Sequence, residues 1–305
     1  MGAWHHNASV SAALLLVTAC GPRAEAPVAR AEATAAPIAY GNNAAAGATF
    51  SHGGVTLYYE TYGTGQPLLL VHGNGLSIGS LAAQIAYFKD RRKVIAMDSR
   101  DHGRSSDSDG PLTYEKMTDD LAALLDHLGL DSVDVVGWSD GGIEALLLGV
   151  RHPARVRKLV AMAANLRPGP TALYKEADEL LQSMVSSMPD SVRSSPEGKR
   201  EFKVTSMVLK QPNIDAAMLA RITAPTLVLA GDHDVIRVEH TVEIFNHLPN
   251  GQLAIFPNST HMVPYDDPAL FNATVERFLS TPFVKVDRIG DLLKSYEKLL
   301  AEAHK

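Results

Sequence analysis

Short apolar runs alternate with helical periods along most of this chain, and that alternation limits the architectures open to it. PLLLVHG (67–73), KVIAMDSR (93–100) and SVDVVGWS (132–139) are continuous apolar stretches of strand length. VRKLVAMAA (156–164), PTLVLAGD (225–232) and QLAIFP (252–257) continue the series, and GVTLYYETYG (54–63) alternates as a half-covered strand does. Continuous apolarity marks strands buried on both faces, which is the condition of a parallel sheet between two layers of helices. Between these runs, Leu121, Leu124, Leu125 and Leu128 recur at helical spacing and Gly129 supplies a stop signal. PALFNATVERFL (268–279) is a late helix. The pattern predicts an α/β fold: a doubly wound, mostly parallel sheet. In such sheets ligands bind beyond the carboxyl ends of the strands.

One interval breaks the rhythm. Residues 168–223 hold no convincing strand, but ALYKEADELLQSMVSSM and DAAMLARI read as helices. Met184, Met188, Met207 and Met218 lie here, four of the nine methionines in the chain. This segment is expected to be a helical cap inserted over the sheet, its methionines either packing the core beneath it or meeting apolar substrate. In the tail (283–305), Ile289, Leu292, Leu293, Tyr296, Leu299 and Leu300 share one helical face, which is expected to pack on the body. A length of 305 residues with 46% hydrophobic content suffices for one large core carrying such an insertion. The formal charge is −6 and no basic patch stands out, which argues against nucleic acid as a partner.

The N-terminus reads differently. Residues 11–19 are apolar but shorter than the roughly 20 residues of a spanning helix, so they fit a signal-peptide core. The stretch ends in Val17-Thr18-Ala19-Cys20, and Cys20 is the only cysteine. Small residues before a cysteine resemble a bacterial lipobox, although the leading segment has no Lys or Arg. The resemblance implies a signal peptide over 1–19, lipid on Cys20, and an exported protein anchored to a membrane of the bacterial envelope. An ordinary cleaved signal beside a lone cysteine is the alternative. Residues 20–48, dominated by Ala, Pro and Gly, are expected to form a flexible tether ahead of a domain over 49–282.

The chemistry gathers at the strand ends. Gly137-Trp138-Ser139-Asp140-Gly141 matches G-x-S-x-G, follows an apolar strand and precedes IEALLLGVRHP, a helix candidate. A nucleophile elbow needs that strand–turn–helix setting, with glycines relieving crowding around a strained serine. A serine hydroxyl is a poor nucleophile at neutral pH without a base, and the base needs an orienting acid. In this chain order the acid and then the histidine follow the serine. GDHD places Asp232 and Asp234 just past one strand, and NSTHMVPYDDP places His261 just past the last. His127, His152 and His247 sit on helical stretches and lack such a position. Two backbone N–H groups must bind the oxyanion. Asp140, directly after the serine, supplies one, and the His72-Gly73-Asn74-Gly75 turn supplies the other through Asn74.

From about residue 50 to 282 the chain resembles the α/β-hydrolase fold superfamily, through VHGNG, DSRDHGRSS, GWSDGG, GDHD and STHMVPYDDP. The resemblance implies Ser139 as nucleophile and His261 as base, and selects Asp234 over Asp232 as the acid. Asp98, Arg100 and His102 match a segment that is structural in such proteins, with Asp101 replacing a usual glycine. GWSDGG and the following helix look like the valacyclovir-hydrolase-like branch. That likeness implies that the Asp140 carboxylate can meet a substrate's α-amino group, although a helix N-terminus favours an acidic residue there on its own account.

The function expected is a serine hydrolase acting on small carboxylic esters through an acyl-enzyme, with no cofactor or metal. Aminoacyl-ester or amide, lactone and C–C bond hydrolysis use the same triad and stay open. Dehalogenase and epoxide-hydrolase relatives carry Asp where Ser139 stands, which argues against both. A non-catalytic binding protein on this scaffold would be expected to carry a damaged triad.

Overall fold

The structure is a computed structural model, and it describes residues 38–303. The expected signal peptide, Cys20 and the first part of the tether lie outside the described residues. Eight strands form one sheet: β1 (Gly47–His52), β2 (Val55–Tyr62), β3 (Pro67–Val71), β4 (Lys93–Met97), β5 (Val133–Trp138), β6 (Val156–Met162), β7 (Thr226–Gly231) and β8 (Gly251–Phe256). Their order is β1-β2-β4-β3-β5-β6-β7-β8. β1 and β2 run antiparallel at one edge, and every pairing from β4 to β8 is parallel. This is the doubly wound α/β architecture.

Strand β3 shows why the apolar runs are continuous. Leu68 and Leu70 point to one face, against Ile85 and Phe88 of α1 (Ala82–Phe88). Leu69 and Val71 join the opposite face with Leu121 and Leu124 of α2 (Tyr114–His127) and Ile143 of α3 (Asp140–Arg151). All four strand residues are buried, and each such side chain contributes about 1.5–3 kcal/mol relative to exposure. Helix α2 starts where the Thr113 side chain accepts from the Lys116 N–H at 3.2 Å. It ends before Gly129, which is left-handed at φ 64°.

Between β6 and β7 lie α4 (Lys175–Ser186), α5 (Asp190–Arg193) and α6 (Pro196–Val208), followed by a 3₁₀ turn at Ala216–Arg221. Met207 is buried beside Val204, whereas Met184 and Met218 are exposed. Helix α6 is fastened to the loop after β4 and to the turn after β3. Lys203 pairs with Asp101 at 2.8 Å, Arg200 with Asp107 at 2.5 Å, and the Asn74 side chain donates to the Val204 carbonyl at 3.3 Å. Asp101, at φ 61°, stands where the superfamily segment usually has glycine. Its carboxylate also accepts from the Ser108 N–H at 2.9 Å. The strained aspartate thus anchors both a loop and a helix. After β7 come α7 (Val238–Asn246), α8 (Val263–Asp266), α9 (Pro268–Ser280) and α10 (Gly290–Ala303).

Two expectations need correction. The tether expected over 20–48 does not extend to 48. The Gly41 and Asn43 N–H groups donate to the Glu60 carboxylate at 2.7 and 2.8 Å, and Gly47 and Ala48 already belong to β1. Glu60 is fully buried and also accepts from the Tyr58 and Tyr62 hydroxyls, both at 2.7 Å. A buried carboxylate is costly without such donors, so its requirement orders a segment whose composition looks tether-like. The tail helix α10, expected to pack on the body, has no buried residue, and its apolar face from Ile289 to Leu300 stays exposed. The reason is that helices already cover both faces of the sheet: α1 and α9 contribute to one core cluster, α2, α3 and α7 to the other.

Candidate active site

Strand β5 turns into α3 at Ser139, whose φ of 59° and ψ of −118° lie in a region that L-residues rarely adopt. The surroundings hold it there. The Ser139 N–H donates to the Met162 carbonyl at 2.8 Å, and the Ser139 carbonyl accepts from Gly142 and Ile143 at 2.8 and 3.1 Å. A Cβ on Gly137 would run into the Gly141 carbonyl, and one on Gly141 into the carbonyls of Val71 and His72. The glycines around the serine are therefore required by three backbone segments passing within contact of one another.

Asp234 follows β7 and His261 follows β8, and the sheet order brings both to Ser139. His261 Nε2 lies 2.9 Å from the Ser139 hydroxyl, and His261 Nδ1 lies 2.7 Å from Asp234 Oδ1. Asp234 is buried, and its Oδ1 also accepts from the Ile236 N–H at 3.0 Å. A buried carboxylate at Nδ1 assigns the proton to that nitrogen, which leaves Nε2 free to accept from the serine hydroxyl. The Trp138 indole donates to the His261 carbonyl at 2.9 Å and fixes the loop that carries the imidazole. Asp232 has another task. It accepts from the Asn258 and Ser259 N–H groups, both at 2.9 Å. Its carboxyl lies at about 2, chiefly through the Ser259 N–H and the His233 side chain.

The turn after β3 stands opposite the elbow. Gly75 is left-handed at φ 66°. His72 is buried, its Nδ1 donates to the Gly73 carbonyl at 2.8 Å and its Nε2 accepts from the Ser99 N–H at 3.1 Å. Burial lowers its pKa to about 4, so it is neutral above that pH. A Cβ on Gly73 would approach the Ser139 Cβ to 3.1 Å, which places the turn against the serine. Asp140 is the first residue of α3, so its N–H has no intrahelical acceptor.

The Asp140 carboxylate has partners within the protein. It is buried, at 5% exposure. Oδ2 accepts from the Asn74 side chain and Oδ1 from the Tyr114 hydroxyl, both at 2.8 Å. Burial raises its pKa, against the lowering effect of those two hydrogen bonds. One turn along α3, burial raises the Glu144 carboxyl well above its usual range. Each Asp140 oxygen thus has one donor from within the protein. Tyr114 had no local signal: it is the first residue of α2, far from Asp140 in sequence, and only the packing of α2 on α3 joins them. Beside Asn74 lies a cavity of about 550 Å³ lined by Leu76, His102, Met184, Val204 and Thr205 among others.

The comparisons agree with this fold. A family model described as alpha/beta hydrolase fold matches residues 66–203. The chain is 30% identical to a putative carbamate hydrolase RutD of Caulobacter sp. over 256 residues, 73% of this chain and 96% of the relative. It is 27% identical to 3-oxoadipate enol-lactonase 2 of Acinetobacter baylyi over 248 residues, 73% of this chain and 92% of the relative. The crystal structure of a hydrolase from Pseudomonas aeruginosa superposes with a TM-score of 0.66 at 25% identity, covering 78% of this chain and all of that one. With the eight-stranded sheet and helical layers described above, these likenesses place the chain in the α/β-hydrolase fold family, and it is a hydrolase.

Proposed function

We propose that this hydrolase cleaves small carboxylic esters with Ser139 as nucleophile, His261 as general base and acid, and Asp234 as the orienting carboxylate. The observation that carries the reading is the unbroken chain Ser139–His261–Asp234, at 2.9 and 2.7 Å, on a strained elbow. Ser139 Oγ attacks the carbonyl carbon while its proton passes to His261 Nε2. Asp234 stabilises the imidazolium that forms. The Asn74 and Asp140 N–H groups take the oxyanion, where charge develops only as the tetrahedral intermediate forms. His261 returns the proton to the departing alcohol, leaving an acyl-serine. Water, deprotonated by His261, attacks that acyl carbon, and the serine hydroxyl is restored with release of the acid.

A lactone is a cyclic ester, and the same sequence opens it without release of a separate alcohol. The likeness to an enol-lactonase favours this second reading. Cleavage of α-amino esters through an Asp140 contact loses its support, because that carboxylate is buried and bonded to Asn74 and Tyr114. The test is a panel of short p-nitrophenyl esters, aliphatic lactones and matched anilides. Esters, lactones or both should turn over at least about 100-fold faster than the anilides, a barrier difference of about 2.7 kcal/mol. Turnover of anilides alone would overturn the assignment.

A further inference from the structure

The two oxyanion donors proposed above sit on separate segments, and their spacing must be held. The Asn74 turn is weakly braced by its own backbone. Glycines flank it, Gly75 is left-handed with open space where a Cβ would be, and the Leu76 N–H closes it on the Gly73 carbonyl at 3.2 Å. His72 Nδ1 holds the Gly73 carbonyl at 2.8 Å, and the Asn74 side chain ties the tip of the turn to its neighbours. Its amide donates to Asp140 Oδ2 at 2.8 Å and to the Val204 carbonyl of α6 at 3.3 Å. Asp140 is the residue whose own N–H is the second donor. Its remaining oxygen is taken by Tyr114, a buried side chain at the start of α2, again at 2.8 Å.

We propose that the Asp140 carboxylate, held by Tyr114, is a positioning group that ties the Asn74 turn to the elbow and to α6, and so sets the distance between the two oxyanion donors. The proposal rests on the serine-hydrolase reading of the site. Each partner has a separate job. Tyr114 fixes the rotamer of Asp140, Asp140 fixes the amide of Asn74, and Asn74 carries its backbone N–H with it. The second amide proton reaches α6, so the geometry of the oxyanion site is joined to the helix that borders the cavity beside it. An ionised carboxylate suits this place because it accepts from two donors at once, which a neutral amide in the same orientation does not. Loosening the turn displaces a donor, and a misplacement of about 1 Å costs on the order of 100-fold in rate.

The role differs in kind from reading a substrate's amine, and kinetics separate the two. Steady-state kcat and KM are measured on an α-amino acid ester and on its N-acetylated analogue. The enzymes are wild type, Asp140→Asn, Asn74→Asp, the double exchange and Tyr114→Phe, each checked for an intact cooperative melt. Asp140→Asn is expected to lower kcat by about 10- to 100-fold on both esters alike, with KM changed little. The double exchange is expected to recover part of that loss: the new amide oxygen at 140 accepts from Tyr114 and its NH₂ donates to the new carboxylate at 74, while the bond to the Val204 carbonyl stays lost. Tyr114→Phe, which removes one hydroxyl, is expected to cost a few-fold in kcat on both substrates. A loss confined to the free-amine ester and carried by KM overturns the proposal, as does a double exchange no better than the worse single variant. If ester turnover by wild type survives Ser139→Ala, the serine-hydrolase reading itself fails, and that result is distinct from either of these.

Discussion

Replacing Ser139 with alanine should lower kcat for short p-nitrophenyl esters by about 10⁴- to 10⁶-fold, without a comparable loss of stability. The hydroxyl is the only atom removed. The elbow is held by backbone: the Ser139 N–H on the Met162 carbonyl and the glycines that let three chain segments pass. Alanine needs the same φ of 59°, so the strain stays about the same and the melting temperature should hold within a few degrees. Residual turnover should come from water attacking a bound, polarised carbonyl. Kinetics on the purified variant beside its thermal melt check both parts. Activity retained within tenfold would mean that another group does the chemistry.

The second large effect is expected at Asp234. Asp234→Asn keeps the shape but changes what His261 Nδ1 faces. The carboxylate can only accept, so Nδ1 carries the proton and Nε2 takes one from Ser139. In asparagine the Ile236 N–H keeps an oxygen at the Oδ1 position, so Nδ1 faces a neutral amide oxygen and the imidazolium loses the negative charge that stabilises it. A fall in kcat of about 10⁴-fold follows, some 5 kcal/mol of barrier. The neighbouring Asp232→Asn serves as the contrast. Its carboxylate accepts from the Asn258 and Ser259 N–H groups of an exposed turn, so kcat should stay within a few-fold. Equal losses at 232 and 234 would contradict the assignment of the orienting acid.

How much of this the sequence discloses depends on the range of the interactions. Strands β3 to β7 are legible because burial on both faces leaves continuous apolar runs. Edge strand β1, GATFSH, has one buried residue in six and looks like the Ala- and Gly-rich segment before it. The requirement of Glu60 for donors, which orders residues 41–43, is a tertiary fact that no local window carries. Ser139, Asp234 and His261 are legible because each is placed by a strand end, so the order of strands stands in for distance. The bond from Tyr114 to Asp140 and that from Asn74 to Asp140 join residues brought together only by the packed fold. For that reason the sequence offers the Asp140 carboxylate only a helix-dipole role or a substrate contact, while the structure shows its bonds to Asn74 and Tyr114. The amphipathic tail misleads in the opposite sense: its apolar face is evident, but nothing local reveals that both sheet faces are already covered.

Covalent capture of the nucleophile separates a serine hydrolase from every other reading of this site. The folded protein is treated with a fluorophosphonate probe, digested, and mapped by mass spectrometry. One adduct is expected, on Ser139, abolished in Ser139→Ala and formed much more slowly in His261→Ala, where no base takes the hydroxyl proton. A folded wild-type protein that takes no label, or an adduct elsewhere that persists in Ser139→Ala, would contradict the serine-hydrolase reading.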